Sequence, residues 1–523
     1  MKNPEPGRCA GARAHSSMVS RRAANVLVLS AIASPFIVPT ELALATLPQG
    51  AAMRRAQLAD GFTGIWYEIV DDNNPAVVKY GGGFSTYPQQ IEPMAIYVAS
   101  RRKTFFATSL DRGDGKIVHA VSFYDHRTRL LARPRIWIEK GTGDAHDAPA
   151  IAFDAKGRLL LFSNTHGEHR RASIFRSVKP YDIDRFEELL DPADPADFRT
   201  FGSLDADGQP VLRFSYGQPW KLADGRLLFI HTRYTHLDSV VGGERDLWWT
   251  MGSDGKHWSA PQRLAHIEQG QYAVSWPRPH GAGIGVAFDY HPAGHRGAPL
   301  DWRTDLFYLQ TTDGLSWQNA QGETLVAPER WLTEPANPAR VFDAPGDQRV
   351  YIKDINYTPR GEPVILFLTS PTHLPSPDPR QLKTASFSKG EWTIRDVLIT
   401  DHDYDHGSLY IEGDVWTIIG AFLPGPQHGA TGGRIGEWRS TDFGRSWQEV
   451  RRFEHAGERN DTYVRRPLNA DPQFWAFWAD GDAEKKSGVD LYFADRDGHR
   501  YRLPRSFPSQ QMFAAPEPLD AAQ

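Results

Sequence analysis

The chain has 523 residues, and its 59 lysines and arginines against 64 aspartates and glutamates give a formal net charge of −5. This weak acidity excludes a generally basic nucleic-acid binder, so we expect no nucleic-acid partner. Apolar residues make up 40% of the chain and charged residues 24%, which is ordinary globular usage and excludes a disordered chain.

The amino-terminal region carries the pattern of a secretory signal. Residues 24–40 are a short apolar run that follows two arginines and ends near an Ala-Leu-Ala site, so residues 1–45 are expected to be a cleaved signal peptide. An uncleaved anchor is the alternative, although Pro35 and Pro39 interrupt a run already short for a bilayer span of about 20 residues. The single cysteine, Cys9, lies in this segment. We therefore expect a secreted or periplasmic protein without disulfides and without membrane contact after signal removal.

The rest of the chain has the pattern of strands and turns. A polar turn followed by an apolar run recurs near Phe106, Leu161, Phe229, Val286, Ile365, Ile418 and Ala476. The repeat averages about 65 residues, which predicts a radial array. We expect an all-β, seven-bladed β-propeller that forms one large domain over residues 60–504. Residues 46–59 are expected to be a linker, residues 180–190 a loop with a helical pattern, and residues 505–523 a carboxy-terminal tail.

A second repeat supports the propeller. Residues 440–447 (STDFGRSW) fit the S-x-D-x-G-x-[ST]-W pattern known as an Asp-box, and shortened versions occur at residues 253–258 and 311–317. The aspartate is expected to cap a tight hairpin turn, the glycine to supply a positive φ, and the tryptophan to pack between neighbouring blades. We interpret these boxes as structural hairpins and not as catalytic motifs.

Polar segments that contain histidine and tyrosine lie between the predicted strands. They are SFYDH at 122–126, DAHDAP at 144–149, SYGQPW at 215–220 with HTRY at 231–234, DHDYDHGSLY at 401–410 and RNDTYVRRP at 459–467. A propeller gathers such segments around its axis, so residues distant in sequence meet at one face. Each histidine alone also fits a hydrogen-bonded structural role, and the His-Asp pairs also fit a metal site.

These segments resemble the BNR-repeat propeller family, which includes ulvan lyases, rhamnose–glucuronate lyases and an α-L-rhamnosidase branch. The resemblance also includes GIWY at 64–67, KYGGG at 79–83 and TYPQQ at 86–90, and it covers about residues 60–500. It implies a seven-bladed propeller, in agreement with the strand repeat. It also implies an exported carbohydrate-active enzyme, in the lyase branch a polysaccharide lyase that cleaves a rhamnose- and glucuronate-containing glycan by β-elimination.

The lyase branch implies four catalytic residues. Its two histidines are matched by His126 and His146, and its tyrosine and arginine by Tyr216 and Arg233, each pair with a spacing close to that of the branch. His126 is then the expected base and His146 a positioning group, with Tyr216 as proton donor or partner in acid–base work. Arg233 is the expected cation at the uronate carboxylate. The rhamnosidase branch carries a histidine directly after TYPQQ, where this chain has Ile91, which cannot do acid or base chemistry.

Four more residues are expected to bind the substrate. Tyr404 and Tyr463 are expected to stack on sugar rings, and Arg465 and Arg466 to help neutralise the uronate. A uronate-containing polysaccharide or oligosaccharide is therefore the expected partner. We expect the protein to be a monomer.

A bound Ca²⁺ also fits the aspartate-rich segments, since calcium prefers oxygen ligands. Asp147 and Asp405 are the candidate ligands. The alternative is that both aspartates accept hydrogen bonds from backbone amides. The sequence does not require any other cofactor.

Two other functions fit the same sequence. One is a glycoside hydrolase, either rhamnosidase-like or, because of the Asp-boxes, sialidase-like, although no pair of carboxylates has a spacing that selects hydrolysis. The other is a non-catalytic carbohydrate-binding propeller, which the fold alone permits. An unsaturated uronate product would distinguish the lyase from both.

Overall fold

The structure is a computed structural model. It describes residues 53–65, 67–69, 79–81, 83–84, 91–166, 170–205, 207–235, 244–293, 302–371, 378–453, 457–482 and 488–519. The chain divides into two compact units, Met1–Gly50 and Ala51–Gln523, and the first lies outside the described residues. The predicted signal peptide over 1–45 and the TYPQQ segment at 86–90 therefore lie outside them as well.

Antiparallel sheets of short strands make up most of the described chain, and we number the larger ones in chain order. Sheet 1 contains Ala95–Val98, Lys103–Asp111, Ile117–Asp125, Leu130–Ala132, Arg135–Glu139, Gln57–Leu58 and Phe513–Ala514. Sheet 2 contains Pro149–Phe153, Leu159–Ser163, Ser173–Ser177, Arg185–Glu188 and Arg54–Arg55. Sheet 3 contains Ser215–Lys221, Leu227–Thr235, Glu244–Gly252 and Gln262–Ala265.

The remaining sheets repeat this hairpin order. Sheet 4 contains Ala273–Pro277, Ile284–Tyr290, Thr304–Thr311, Trp317–Gln318, Thr324–Val326 and Arg340–Phe342. Sheet 5 contains Arg349–Tyr357, Pro363–Ser370, Arg380–Ser388 and Glu391–Thr400. Sheet 6 contains Gly407–Glu412, Val415–Leu423, Arg434–Ser440 and Gln448–Arg452. Sheet 7 contains Asn460–Arg465, Ala476–Gly481, Gly488–Ala494, Arg500–Arg502, Glu517–Pro518 and Thr63–Ile65.

Three short helical elements and two small hairpins complete the described elements. The hairpins pair Gly202–Leu204 with Pro210–Leu212 and Tyr67–Ile69 with Lys79–Gly81. The helical elements are the α-helix Pro195–Phe201 and the 3₁₀ turns Ala145–Asp147 and Pro279–Gly281. None of the helices in the described part of the chain has the length and apolar character needed to cross a bilayer.

The larger sheets are arranged as a ring around their first strands. The first strands of sheets 2 and 3, of 4 and 5, of 5 and 6, and of 6 and 7 lie against each other. Leu468, just after the first strand of sheet 7, forms a parallel bridge with Ile96 in the first strand of sheet 1 and so joins the two ends. The predicted all-β propeller class is therefore confirmed. We call these first strands the inner strands.

The repeated apolar pattern of the sequence marks the second strand of each sheet. All seven recurrences fall in second strands, from Phe106 in Lys103–Asp111 to Ala476 in Ala476–Gly481. These strands are buried on both faces; every residue of Pro363–Ser370, for example, is buried. A strand covered on both sides needs a continuous apolar run, which is why this element is the most visible in the sequence.

The three Asp-boxes form hairpins between the third and fourth strands of sheets 3, 4 and 6. In the complete box, Asp442 accepts hydrogen bonds from the amides of Arg445 and Ser446, both at 3.0 Å, and Gly444 has a φ of 74°. Hydrogen bonding to Ser446 keeps the pKa of the Asp442 carboxyl below its usual range. The structural interpretation of the boxes is confirmed.

Two boundaries and one internal element differ from the sequence prediction. The expected linker over 46–59 contains two strands, and the expected tail over 505–523 contributes two more, so the propeller extends beyond 60–504 at both ends. The pattern at 180–190 contains the strand Arg185–Glu188 and no helix. The α-helix begins shortly after this pattern ends, because the Asp194 side chain caps the amide of Ala196 and Pro195 occupies the first turn.

Candidate active site

Strand order determines which face of the ring each polar segment reaches. Because all inner strands run in the same direction, their beginnings lie on one face, which we call the polar face. Their carboxyl ends lie on the other, the opposite face. The second strand is antiparallel to the first, so its end returns to the polar face. The third strand begins there and ends at the opposite face.

Two stacked imidazoles lie on the polar face. His146 precedes the inner strand of sheet 2 and His166 follows the second strand; their ring centroids are 4.2 Å apart and the planes differ by 18°. Asp144 contacts both rings, with Oδ1 2.6 Å from Nδ1 of His146 and Oδ2 2.9 Å from Nδ1 of His166. A carboxylate at each Nδ1 favours the tautomer that carries hydrogen there and leaves Nε2 with a lone pair. Burial, and after it the charge of His166, lowers the pKa of His146, so this ring is neutral at neutral pH.

Arg170 and Asp147 support this pair from behind. Arg170 donates to Asp144 Oδ2 at 2.9 Å and to both carboxylate oxygens of Asp147, at 2.9 and 3.0 Å. Asp147 also accepts from the amide of His166 at 2.7 Å and lies 3.7 Å from Lys140 Nζ. Its oxygens are thus used by the chain's own donors, and the expected calcium ligation by Asp147 is not supported.

Two tyrosines lie next to the imidazoles. Tyr216, in the inner strand of sheet 3, accepts a hydrogen bond of 3.0 Å from the hydroxyl of Tyr234, at the end of the second strand. The ring centroid of His166 lies 6.4 Å from Tyr216 and 5.9 Å from Tyr234. Burial raises the pKa of Tyr216 well above its usual value, so this phenol is protonated at neutral pH. The structure therefore brings the predicted His146 and Tyr216 together.

The predicted arginine lies in a cavity beside this cluster. Arg233 lines a cavity of ≈ 370 Å³ together with Tyr234, Ser215 and Trp248. Its Nη2 donates to the carbonyl oxygen of Gly202 at 2.9 Å, and among the described residues its guanidinium has no carboxylate in ion-pair contact. Burial lowers the pKa of Arg233, which nevertheless remains charged at neutral pH because an arginine starts so high. A half-buried cation in such surroundings is suited to bind an anionic group.

A second arginine is part of the cluster itself. Arg245 is paired with Tyr234 across the ladder of sheet 3 and is 4% exposed. Its guanidinium lies 5.6 Å from the ring centroid of Tyr234 and 5.3 Å from that of Tyr272. Arg245 was not predicted as a site residue, because its neighbours in the chain carry no motif.

His126 does not join these residues, and this part of the prediction is wrong. It follows the third strand of sheet 1 and therefore lies toward the opposite face. Its Nε2 is 2.8 Å from the hydroxyl of Thr104 and its Nδ1 is 2.9 Å from Asp471 Oδ1. The histidine that the structure places beside His146 is His166. It lies as far after His146 in the chain as His126 lies before it, so the same spacing would have found it.

The two tyrosines expected to bind the substrate do not offer open surfaces to a sugar. Tyr404 and Tyr463 are only 4% and 2% exposed, with Tyr404 packed against the ring of Tyr351. Neither ring is therefore available for stacking, contrary to the prediction.

The two arginines of the YVRRP segment have partners within the protein. Arg465 is buried and donates to the backbone oxygen of Ile91. Arg466 donates two hydrogen bonds to Asp354, at 2.9 and 3.1 Å, and its guanidinium lies 3.5 Å from the ring centroid of Trp276. Arg466 faces a cavity of ≈ 780 Å³ on the opposite face, which Trp276, Trp475 and Tyr97 also line. Neither arginine lies with the imidazole pair.

The structure does not favour calcium at Asp405 either. Asp405 accepts hydrogen bonds from the amides of His402 at 3.1 Å and Gly432 at 2.8 Å and from the hydroxyl of Thr400. Burial raises the pKa of this carboxyl well above its usual value, which is unlike a calcium ligand. The alternative interpretation, an aspartate bonded to backbone amides, fits the structure.

Two groups among the described residues have donor atoms close enough to surround a metal ion. One is the Asp144, His146 and His166 group, and the other is Glu244, Asp246 and His266. In each group an arginine already contacts the carboxylate: Arg170 contacts Asp144 at 2.9 Å, and Arg263 contacts Asp246 at 3.1 Å. A cation in that position competes with a metal ion, so we assign both groups to hydrogen-bonded networks.

Together, the ring of sheets and this cluster define a β-propeller whose polar site lies where the inner strands begin. A family model described as BNR repeat-containing family member matches residues 96–399, more than half of the chain. The chain belongs to this BNR repeat-containing family. A search of curated proteins found no match.

Solved structures show the same fold at low sequence identity. A polysaccharide lyase described as a PL25 ulvan lyase is 16% identical, with a TM-score of 0.63 over 84% of this chain and 96% of that chain. The same kind of lyase bound to -[GlcA(1-4)Rha3S]- gives a TM-score of 0.62 at the same identity and coverage. The polysaccharide lyase Uly1 is 15% identical, with a TM-score of 0.53 over 85% of this chain and 100% of that chain.

Proposed function

We propose that this protein is a carbohydrate-active enzyme, a polysaccharide lyase that cleaves a rhamnose- and glucuronate-containing glycan by β-elimination. The observation that carries the proposal is one juxtaposition on the polar face. A stacked imidazole pair lies beside a hydrogen-bonded tyrosine pair. Tyr234 of that pair lines the same cavity as Arg233, whose guanidinium has no carboxylate in ion-pair contact among the described residues. β-Elimination requires a base, an acid and a cation at the carboxylate, and these groups supply all three. The shared fold with ulvan lyases agrees with it.

The reaction begins at C5 of the uronate, whose proton is only weakly acidic. Arg233 binds the carboxylate next to C5 and stabilises the negative charge that develops as the proton leaves. Nε2 of the His146–His166 pair takes the proton, since Asp144 keeps hydrogen on Nδ1 of both rings. This pair takes the role first expected of His126.

The second half of the reaction breaks the C4–O bond. The electron pair released at C5 forms the C4=C5 double bond, and the bond between C4 and the glycosidic oxygen breaks. The leaving oxygen receives a proton from the tyrosine pair, which contains the predicted Tyr216. The products are an unsaturated uronate at one new end and a free hydroxyl on the leaving sugar.

To test the proposal, the purified protein is incubated with a panel of uronate-containing polysaccharides, and formation of the unsaturated product is measured by its ultraviolet absorbance. We expect absorbance with a rhamnose–glucuronate glycan and a loss of about 10²–10⁴-fold in kcat for His146→Ala and His166→Ala. His257→Ala serves as the control, because His257 is exposed and lies in the turn between the third and fourth strands of sheet 3. Reducing ends that appear without this absorbance would instead indicate hydrolysis.

A second candidate function rests on the cavity of ≈ 780 Å³ on the opposite face, which is large enough for a sugar and lined with aromatic rings. We propose it as the site of the alternative functions, glycan binding or rhamnosidase-like hydrolysis. Ile91, at the position where the rhamnosidase branch carries a histidine, is buried and does not line this cavity, so it supplies no acid or base there. Release of free rhamnose from a model glycoside would support hydrolysis, and calorimetric binding without release would support a binding site.

Several properties of the whole protein are part of the same proposal. We propose a ring of seven blades, because seven sheets of four or more strands follow one another in the described residues. We also propose a secreted or periplasmic monomer that is released from the membrane after cleavage of residues 1–45. Sequencing of the mature amino terminus and light scattering in solution test these points. Unchanged activity in the presence of a calcium chelator would agree with a site that needs no Ca²⁺.

A further inference from the structure

The polar face contains two phenols where the sequence indicated one. Tyr216 is 2% exposed and does not line the cavity beside Arg233. Tyr234 is half-buried and lines this cavity together with Arg233. A substrate whose carboxylate lies at Arg233 therefore meets Tyr234 before it meets Tyr216.

We propose that Tyr234 is the catalytic residue that protonates the leaving oxygen, that Tyr216 is its positioning residue, and that Arg245 stabilises the Tyr234 phenolate. This inference rests on the proposed lyase function and assigns the acid at the same site. It replaces Tyr216 as the group that touches the substrate.

The groups around Tyr234 favour its ionisation over that of Tyr216. His166 faces it from sheet 2, Tyr216 and Arg245 from sheet 3, and Tyr272 from sheet 4. Burial raises the pKa of both phenols, and the charge of Arg245 opposes this rise at both. The hydrogen bond between the two hydroxyls lowers the pKa of Tyr234 and raises that of Tyr216, and a hydrogen bond with Arg245 lowers the pKa of Tyr234 further. Tyr234 is therefore the phenol that gives up its proton first.

The backbone at Tyr216 is consistent with a positioning role. Its φ of 50° is a left-handed conformation that non-glycine residues rarely adopt, and it lies in a bulge of the ladder between the first two strands of sheet 3. Neighbouring contacts hold this conformation: the Asn164 side chain accepts from the amide of Gly217 at 2.8 Å, and the hydroxyl of Ser215 donates to the backbone oxygen of Thr165. The bulge directs the phenol of Tyr216 to the hydroxyl of Tyr234.

The proton transfers balance over one turnover. Tyr234 gives its hydroxyl proton to the oxygen that leaves C4. The Tyr234 phenolate then accepts a hydrogen bond from the hydroxyl of Tyr216 and faces the guanidinium of Arg245. The imidazole pair meanwhile holds the proton taken from C5. Return of this proton from His166, whose ring centroid is 5.9 Å from that of Tyr234, restores both groups. The enzyme needs no other reactant.

The test compares Tyr234→Phe with Tyr216→Phe on the polysaccharide that the wild type cleaves. We expect Tyr234→Phe to lower kcat by about 10²–10⁴-fold with little change in KM. Tyr216→Phe is expected to lower kcat much less and to move the alkaline limb of the kcat–pH profile to higher pH, because the Tyr234 phenolate loses a donor. Tyr290→Phe, a buried tyrosine in the second strand of sheet 4, controls for the loss of a buried hydroxyl.

Three outcomes would overturn the assignment. The first is a Tyr234→Phe variant that keeps the kcat of the wild type. The second is a loss of kcat in Tyr216→Phe as large as that in Tyr234→Phe. The third is a kcat–pH profile of Tyr216→Phe whose alkaline limb does not move. Circular dichroism and melting curves establish that each variant is folded. A wild type that yields no unsaturated product contradicts the proposed function instead. In that case ¹³C-tyrosine spectra decide: titration with a glucuronate oligosaccharide should shift the Tyr234 signal, and a shift of the Tyr216 signal alone would reject the assignment.

Discussion

The imidazole rings of His146 and His166 stack with their centroids 4.2 Å apart. The first two strands of sheet 2 separate them in the chain, and both Nδ1 atoms contact the same carboxylate. One carboxylate thus aligns two potential bases and leaves each Nε2 with a lone pair. This arrangement suits proton abstraction near neutral pH.

Asp144→Asn is expected to impair this pair without removing it. The amide carries no charge, so His146 loses a neighbour that raises its pKa, and the acid limb of the kcat/KM–pH profile should move to lower pH. Loss of tautomer control should lower kcat by on the order of 10²-fold. Asp147→Asn is the matched control, since Asp147 shares Arg170 but contacts neither ring, and its charge raises the pKa of His146 less than Asp144 does, so a smaller shift is expected. Equal shifts of the acid limb in both variants would contradict this role for Asp144.

Arg233→Gln is expected to lower kcat/KM on uronate substrates by about 10²–10³-fold, because it removes the charge that faces the developing enolate. Arg226→Gln serves as the control, since Arg226 lies just before the same strand and pairs with Asp224 in solvent. Steady-state kinetics under identical salt conditions separate the two. Similar losses in both variants would show that general electrostatics, and not this cavity, account for the effect.

His126→Ala is expected to affect stability and not catalysis. His126 contacts the carboxylate of Asp471, which follows the first strand of sheet 7. This contact connects the last sheet to the first. Loss of this buried contact should lower the free energy of unfolding by about 2 kcal/mol. Chemical denaturation measures it, and kcat of the folded variant should stay at the wild-type value. A loss of kcat as large as that of His146→Ala would return His126 to the catalytic set.

Buried neutral histidines should make the protein sensitive to acid. Burial lowers the pKa of His402 to about 4 and that of His231 to about 3, below the unfolded value of about 6.5. As pH falls below about 6.5, the unfolded state binds the proton first, so each histidine removes about 1.4 kcal/mol of stability per pH unit until its folded pKa is reached. Above about pH 6.5 the contribution of each histidine to stability is complete.

Denaturation curves from pH 7.5 down to pH 5 test this dependence. His402→Gln should reduce the slope of stability against pH by one histidine's share. His257→Gln should leave the slope unchanged, because the His257 side chain is 78% exposed. A slope that His402→Gln does not change would mean that the pKa of this ring is the same in the folded and unfolded states, contrary to the lowering expected from burial.

The fold was predictable because its signals are local. A second strand covered on both sides requires a continuous apolar run, and an Asp-box contains its own turn, cap and glycine within one short motif. Neither signal depends on what the chain does elsewhere. The edge strands at 54–58 and 513–518 escaped prediction, since two paired residues leave no pattern in a sequence.

The site was only partly predictable, because spacing along the chain does not specify a face of the ring. His126 and His166 lie equally far from His146 in the sequence, one before it and one after it. Each strand reverses the direction of the chain, so a residue after a third strand and a residue after a second strand reach opposite faces. His166 and Tyr234 both lie where second strands end, and Arg245 lies where a third begins, which is why they meet.

The amino-acid sequence by itself determined the class of fold, the family and the residue types of the site, since these depend on apolar periodicity and short motifs. The tertiary structure alone decided which histidine joins His146, which phenol faces the cavity beside Arg233, and which aspartates already have partners. Those outcomes depend on strand parity and on contacts between sheets, which bring together atoms that are far apart along the chain.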